Sequence, residues 1–353
     1  MSLFPPLVPA DTLWITRCPV PTATAIGLNQ RWFADVFAKR NYQVHTLQDT
    51  NDPNLRAQHF HHELKTLFRE GGNVPAFWNR ARNLSNKGFD HTVVVGLTWV
   101  DEVQLLLARP GANLSPEKLA GKVLGLSNAP GAVDIWRAMA LRGYDTALKL
   151  TGLTLGDVVL KDLVAPEVNW NGQRRGGTWS QASEDALLSG EVDVIYAKGA
   201  PAVALKEKHG LEVVLDLNTL EDLALRINNG TPRPITVHRH FLDDKPELVA
   251  LYLQVLNYAS DWAKANPYRV ADIVAAATNT TADAVRQGDG DKLAHSFDVS
   301  LSAERIAAFQ NQADFLRRHS LISAPIDVAD WIVEAPLKVA LAQPLSLPSL
   351  EIA

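Results

Sequence analysis

Cysteine is almost missing from this chain: of 353 residues one is cysteine, Cys18. A single thiol excludes an intrachain disulfide framework and suits a reducing compartment. It also leaves a cysteine-rich metal site without ligands. A dominant charge of one sign is missing too, since 34 Lys+Arg stand against 39 Asp+Glu for a net charge of −5. No basic surface therefore invites nucleic acid or anionic lipid, and neither is expected as a partner. No apolar run reaches the ~20 residues that a bilayer span requires, so no membrane partner is expected either. Residues 1–10 hold three prolines and neither Lys nor Arg, which is not the pattern of a secretory signal. The expectation is a cytoplasmic protein, or a periplasmic one if a signal has been removed ahead of Met1. The phosphate-cradling patterns GxxxxGK and GxGxxG are missing, as are GxSxG and HExxH. No nucleotide, cofactor or metal is expected.

What remains is an ordinary globular composition, 46% hydrophobic and 21% charged. The length suits two domains, or one domain of two lobes. Leu13-Trp14-Ile15-Thr16 has strand character and runs into Arg17-Cys18-Pro19. Proline ends a strand because it lacks an N–H and restricts the residue before it. Cys18 thus stands at the carboxyl end of the first strand, where open α/β sheets place their ligands. A free cysteine is also often a small buried hydrophobe, and position alone leaves both fates open.

Apolar spacing predicts a helix over 22–40 and a strand over 42–47. Asp52-Pro53 opens a second helix. It runs through Leu64, Leu67 and Phe68 to a stop at Gly71-Gly72. Val74-Pro75 opens a third. Residues 92–97 and 103–108 read as buried strands of the parallel kind. At Ser115 a second β/α unit begins: strand 122–127, helix 132–142, strand 157–163, helix 179–190, then strands 192–197 and 213–217. Residues 234–241 are extended, and from Asp243 the chain is nearly all helical. The expected architecture is an α/β clamshell, each lobe a β-sheet flanked by helices. One lobe takes 1–105 plus 235–353 and the other 106–234, with hinges near 104–110 and 234–241. Ligands of such folds lie in the cleft between the lobes.

Two constellations carry chemistry. His59-Phe60-His61-His62 packs three imidazoles together. His59 and His62, at i and i+3, could share a metal, though nothing completes a ligand set. Otherwise they mark a solvated helix, or one histidine faces the cleft as acid, base or thiol partner. Arg69-Glu70-Gly71-Gly72 sets a guanidinium fork before a Gly-Gly turn and a helix start. That suits an oxyacid anion. It equally suits an arginine and glycine that merely cap a helix. The basic loop Arg174-Arg175-Gly176-Gly177 reads as solvated surface.

The order Cys18-Pro19-Val20-Pro21, His59-Phe60, Arg69-Glu70-Gly71-Gly72 resembles the 2′-hydroxybiphenyl-2-sulfinate desulfinases. These belong to the periplasmic-binding-protein-like (type II) superfamily of sulfonate and thiamine-precursor binders. Leu119-Ala120-Gly121-Lys122-Val123, Gly190-Glu191-Val192-Asp193 and Pro325-Ile326-Asp327 extend the likeness thinly over most of the chain. The resemblance implies a type II clamshell that cleaves the C–S bond of an aryl sulfinate and releases sulfite. It implies a catalytic thiol at Cys18, a site histidine at His59 and a sulfinate-holding arginine at Arg69. The Gly72 N–H would face the oxygens beside Gly71. From its position beside Cys18, and not from the resemblance, Arg17 is expected to help bind the anion and to add positive charge near the thiol. The ligand would be a small organosulfur anion, bound by a monomer. Thr16 and Arg17 depart from the family's Ser-Asn, and residues 170–179 have no counterpart. The competing expectation is a non-catalytic binding protein of an ABC transporter for sulfonates, sulfinates or aromatic anions. A thiamine-pyrimidine synthase of the same fold would need a cysteine-rich signature that is missing.

Overall fold

A computed structural model of the chain describes residues 12–18, 20–129, 133–164, 178–278 and 280–347. Pro19 and the loop 170–177, both singled out above, lie outside the described residues. Four strands come first: β1 (Thr12–Ile15), β2 (Gln43–Thr46), β3 (Leu67–Glu70) and β4 (Thr92–Thr98). The chain then crosses to β5 (Gln104–Ala108), β6 (Val123–Asn128), β7 (Val159–Val164), β8 (Val194–Lys198) and β9 (Glu212–Asp216). It returns as β10 (Arg233–His238). The sheets are ordered β2-β1-β3-β10-β4 and β7-β6-β8-β5-β9. Helices flank both. The chain therefore has the expected two-lobed α/β fold, each lobe a β-sheet flanked by helices.

Several expectations need correcting. β4 and β5 are buried throughout, but β4 runs antiparallel to β10, and β5 runs antiparallel to β8 and β9. An unbroken apolar run reports burial on both faces and carries no information on strand direction. β5 already lies in the second sheet and β10 wholly in the first, so residues 104–108 and 233–238 are sheet, not hinge. The crossings are the segments before them, 99–103 and 217–232.

The helix expected over 22–40 is two: α1 (Ala23–Asn29), capped by Thr22, and α2 (Trp32–Ala38). Arg31 breaks it in the left-handed region at φ 63. The larger correction concerns Arg69. α3 (Pro53–His61) ends at His62, φ 46, and Leu67–Glu70 is a strand between β1 and β10 rather than the tail of a helix. The His62 ring holds this turn: Nε2 lies 3.2 Å from the Leu67 carbonyl oxygen and Nδ1 3.2 Å from Thr236 Oγ1. Phe68 stacks on Tyr252 at 4.4 Å, which anchors the strand in the first lobe's core. A helical apolar period at Leu64, Leu67 and Phe68 is equally met by a turn and a short buried strand.

α4 (Asn73–Lys87) starts where Val74-Pro75 placed it. In the second lobe, α5 (Ile135–Lys149) and α6 (Thr178–Ser189) match expected helices, while α7 (Gly199–His209) was not expected. Gly199-Ala200-Pro201 opens it, since proline is tolerated in a helix's first turn. One core cluster runs through both lobes, joining Phe77 and Leu97 to Leu106, Leu124 and Phe309. Trp331 stacks on Phe309 at 5.7 Å, and its Nε1 donates to the Thr92 carbonyl at 3.1 Å. The C-terminal tail thus packs back against that shared core. No helix among the described residues is long and apolar enough to cross a membrane.

Candidate functional site

Cys18 lies three residues past β1. The preceding backbone is held by Thr16 N–H donating to the Phe68 carbonyl at 3.0 Å and Arg17 N–H donating to Gln48 Oε1 at 2.7 Å. The thiol is 7% exposed and points at the Glu70 carbonyl oxygen, 3.6 Å away. It opens on a cavity of about 620 Å³ between the lobes. Cys18, His59, Gly72 and Arg233 line it from the first lobe, and Trp136 and Tyr196 from the second. Val20, Pro21, Phe60, Ile135 and Val274 make much of the remaining wall apolar.

The last turn of α3 brings His59 to the cavity. Its Nδ1 is buried and has no partner among the described residues. Burial, then the positive charge of Arg69 and Arg233, holds the His59 pKa well below the ordinary imidazole range. The ring is neutral at pH 7 and can orient a thiol or take a proton. His62 is pushed down to about 3, by burial first and by Arg69 second. Both its ring nitrogens are already engaged, so the shared-metal option for His59 and His62 fails. His61 lies outside the cavity, 6.2 Å from the Trp78 ring. Among the described residues no group of three His, Cys, Asp or Glu is placed to hold a metal.

β3 brings Arg69 in behind His59, 1% exposed. Its Nε donates to the His59 carbonyl at 2.9 Å and Nη2 to the Gly72 carbonyl at 3.2 Å. Nη1 has no acceptor among the described residues. Burial lowers its pKa to about 10, so it stays charged at neutral pH. The guanidinium can lie this close to the turn only because residue 71 is glycine. A Cβ on Gly71 would fall 2.4 Å from the Arg69 Cζ, and one on Gly72 would fall 2.5 Å from the Asn229 side chain. Arg69 is not part of the main cavity wall. It borders a much smaller space with His59, His62 and Thr236.

The start of α4 is less open than its sequence suggested. Asn229 takes two of its N–H groups, from Asn73 at 2.8 Å on its carbonyl and from Val74 at 3.0 Å on Oδ1. Among the described residues no acceptor takes the Gly72 N–H. Beside Cys18, Glu70 is buried and fully occupied. It accepts from Thr24 N–H at 3.1 Å, Thr24 Oγ1 at 2.6 Å and Thr98 Oγ1 at 2.9 Å.

Arg17 is not brought to the site. Its side chain turns to Asp49, 2.6 Å away, and does not line the cavity. Sequence reasoning missed Arg233, which lines the cavity at 2% exposure. The available signal was an arginine opening a buried apolar strand, Arg233-Pro234-Ile235-Thr236-Val237. It also missed a polar patch of the wall where Lys198 pairs with Glu102 and Asp289 sits nearby. Burial, then Glu102, raises the Asp289 carboxyl to about 7.

No family model matches the sequence. Curated relatives from Rhodococcus erythropolis and Rhodococcus qingshengii, both 2′-hydroxybiphenyl-2-sulfinate desulfinases, are 22% identical over 351 residues and cover 91% of each chain. A crystal structure of a cysteine-to-serine mutant of DSZB in complex with biphenyl-2-sulfinic acid matches with TM-score 0.72 and 20% identity, covering 94% of this chain and 99% of that one. The periplasmic aliphatic sulphonate binding protein SsuA from Escherichia coli matches with TM-score 0.68 and 13% identity, covering 97% and 96%. The resemblance drawn from the sequence and these comparisons point to the same proteins, and the structural matches share this chain's fold.

Proposed function

We propose that the chain is a desulfinase, a hydrolase that cleaves the C–S bond of an aryl or similar sulfinate and releases sulfite. The observation that supports it most is the lone thiol. It opens on a largely apolar cavity between the lobes beside a neutral imidazole, with buried guanidinium nitrogens close by that lack acceptors among the described residues. The apolar wall suits an aromatic group, and the unpaired cationic nitrogens suit the two sulfinate oxygens. Arg69 and the Gly72 N–H hold those oxygens, and Gly71 leaves room for the Arg69 guanidinium.

Two routes fit the balance RSO₂⁻ + H₂O → RH + HSO₃⁻. In the first, the Cys18 thiol gives its proton to the carbon bearing sulfur. The C–S electron pair stays on carbon, SO₂ leaves and hydrates to HSO₃⁻, and the proton returned by hydration restores the thiol. In the second, the Cys18 thiolate attacks sulfur and the leaving carbon takes a proton. Water then hydrolyses the S–SO₂⁻ adduct to thiol and HSO₃⁻. His59 orients the thiol in both.

The binding-protein reading is kept by the long match to SsuA. One assay separates the two. Incubated with biphenyl-2-sulfinate, the protein is expected to release sulfite and the arene in equal amounts, and to leave biphenyl-2-sulfonate untouched. Tight binding of either anion without sulfite release favours transport over catalysis.

A further inference from the structure

We propose that Arg233 is a second anion-binding residue of the cavity, gripping the same oxyacid group as Arg69 and Gly72. This rests on the reading that the cavity takes an oxyacid anion, and goes beyond it in assigning a further buried cation of the cavity wall. β10 pairs antiparallel with β3, Thr236 opposite Arg69 and Ile235 opposite Glu70. The Gly71 N–H continues the ladder to the Pro234 carbonyl at 3.3 Å. One step further, Arg233 comes opposite Gly72, and both line the cavity.

Arg233 differs from Arg69 in one respect. Arg69 spends two nitrogens on carbonyls that hold the β3–α4 turn. Arg233 is 2% exposed, its Nε and Nη1 have no acceptor among the described residues, and no carboxylate there pairs with it. An unpaired buried cation opposes folding unless something neutralises it. Arg233 Nε and Nη1 and the Gly72 N–H are unclaimed donors on residues that line the cavity, and Arg69 Nη1 lies behind them in the smaller space outside its wall. The two oxygens of an oxyacid, with two lone pairs each, can accept from such a set. A sulfinate meets that demand, and so does the hydrogen sulfite left after C–S cleavage. Arg233 therefore binds substrate and product alike, and free sulfite inhibits through it.

The test titrates benzenesulfinate and sulfite into wild type, Arg233→Met and Arg233→Lys by calorimetry, with ligand-free melting followed in parallel. Arg233→Met is expected to weaken both ligands by about 10–100-fold, with Arg233→Lys in between. Its ligand-free melting temperature is expected to hold or rise, because an uncompensated charge has left the interior. A merely structural arginine gives the opposite pattern, in which stability falls and Lys restores nothing. That pattern, or wild-type affinity in Arg233→Met, overturns the proposal. Wild type that binds benzenesulfinate but releases no sulfite ends the desulfinase reading alone, and the titration still decides Arg233. Wild type that binds neither anion ends both.

Discussion

Cys18→Ser is expected to abolish sulfite release while leaving sulfinate affinity within a few-fold of wild type. The exchange is nearly isosteric, and a serine hydroxyl can still donate to the Glu70 carbonyl that the thiol faces. The cavity wall is therefore kept. What disappears is the acidity and nucleophilicity of sulfur. If Cys18 works only as a proton donor, the loss is about 10²–10⁴-fold in kcat. If it forms the adduct with sulfur, a loss well beyond about 10⁴-fold follows. Single-turnover assays on the pure variant read both numbers. A variant retaining near-normal turnover eliminates both routes at once.

The second large effect is on stability. Unfolding free energy is expected to fall steeply as the pH drops below about 6.5, the ordinary histidine value. His59, His62 and His238 all have folded pKa values below that, at well below it, about 3 and about 4 respectively, with burial the main cause. Below pH 6.5 the unfolded chain takes up protons that the folded chain refuses. Each such imidazole then costs about 1.4 kcal/mol per pH unit until its folded pKa is reached. Asp289 acts in the opposite sense. Its carboxyl is raised to about 7, so it contributes stability at low pH that is lost as the pH rises through 7. The three imidazoles together outweigh it, leaving a net loss of stability by pH 4.5. Urea unfolding at pH 7.5, 5.5 and 4.5 measures it. His238→Gln is expected to flatten the slope by about one proton, since that ring stacks on His91 at 5.0 Å and on His240 at 5.4 Å, away from the cavity. Equal stability at pH 7.5 and 4.5 contradicts the assignment.

The alternation of apolar strands and amphipathic helices made the two-lobed fold legible, and a proline after a short strand placed Cys18 at a sheet's carboxyl end. What stayed hidden shares one physical cause: strand pairing between distant segments. β3 is four residues long and looks helical locally. It becomes a strand because β1 and β10 lie on either side of it. That pairing changes the meaning of Arg69, from a helix-capping option to a buried cation at the back of the site. It also carries Arg233, 164 residues later in the chain, to the same place. Arg17 failed in the reverse way. Adjacent to Cys18 in sequence, it turns its side chain away from the cavity and meets Asp49. The residues alone left the roles of His59, His61 and His62 open and only the resemblance singled out His59; the turn at His62 makes them a cavity residue, an outer residue and a buried brace.

The most direct measurement is a crystal structure of the Cys18→Ser variant soaked with biphenyl-2-sulfinate. The predicted result has both sulfinate oxygens within hydrogen-bond distance of the Arg69 and Gly72 nitrogens, the sulfur-bearing carbon facing residue 18, and the rings against Trp136 and Phe60. A sulfinate seated elsewhere in the cleft, with neither guanidinium near its oxygens and its ring carbon turned from residue 18, contradicts the account.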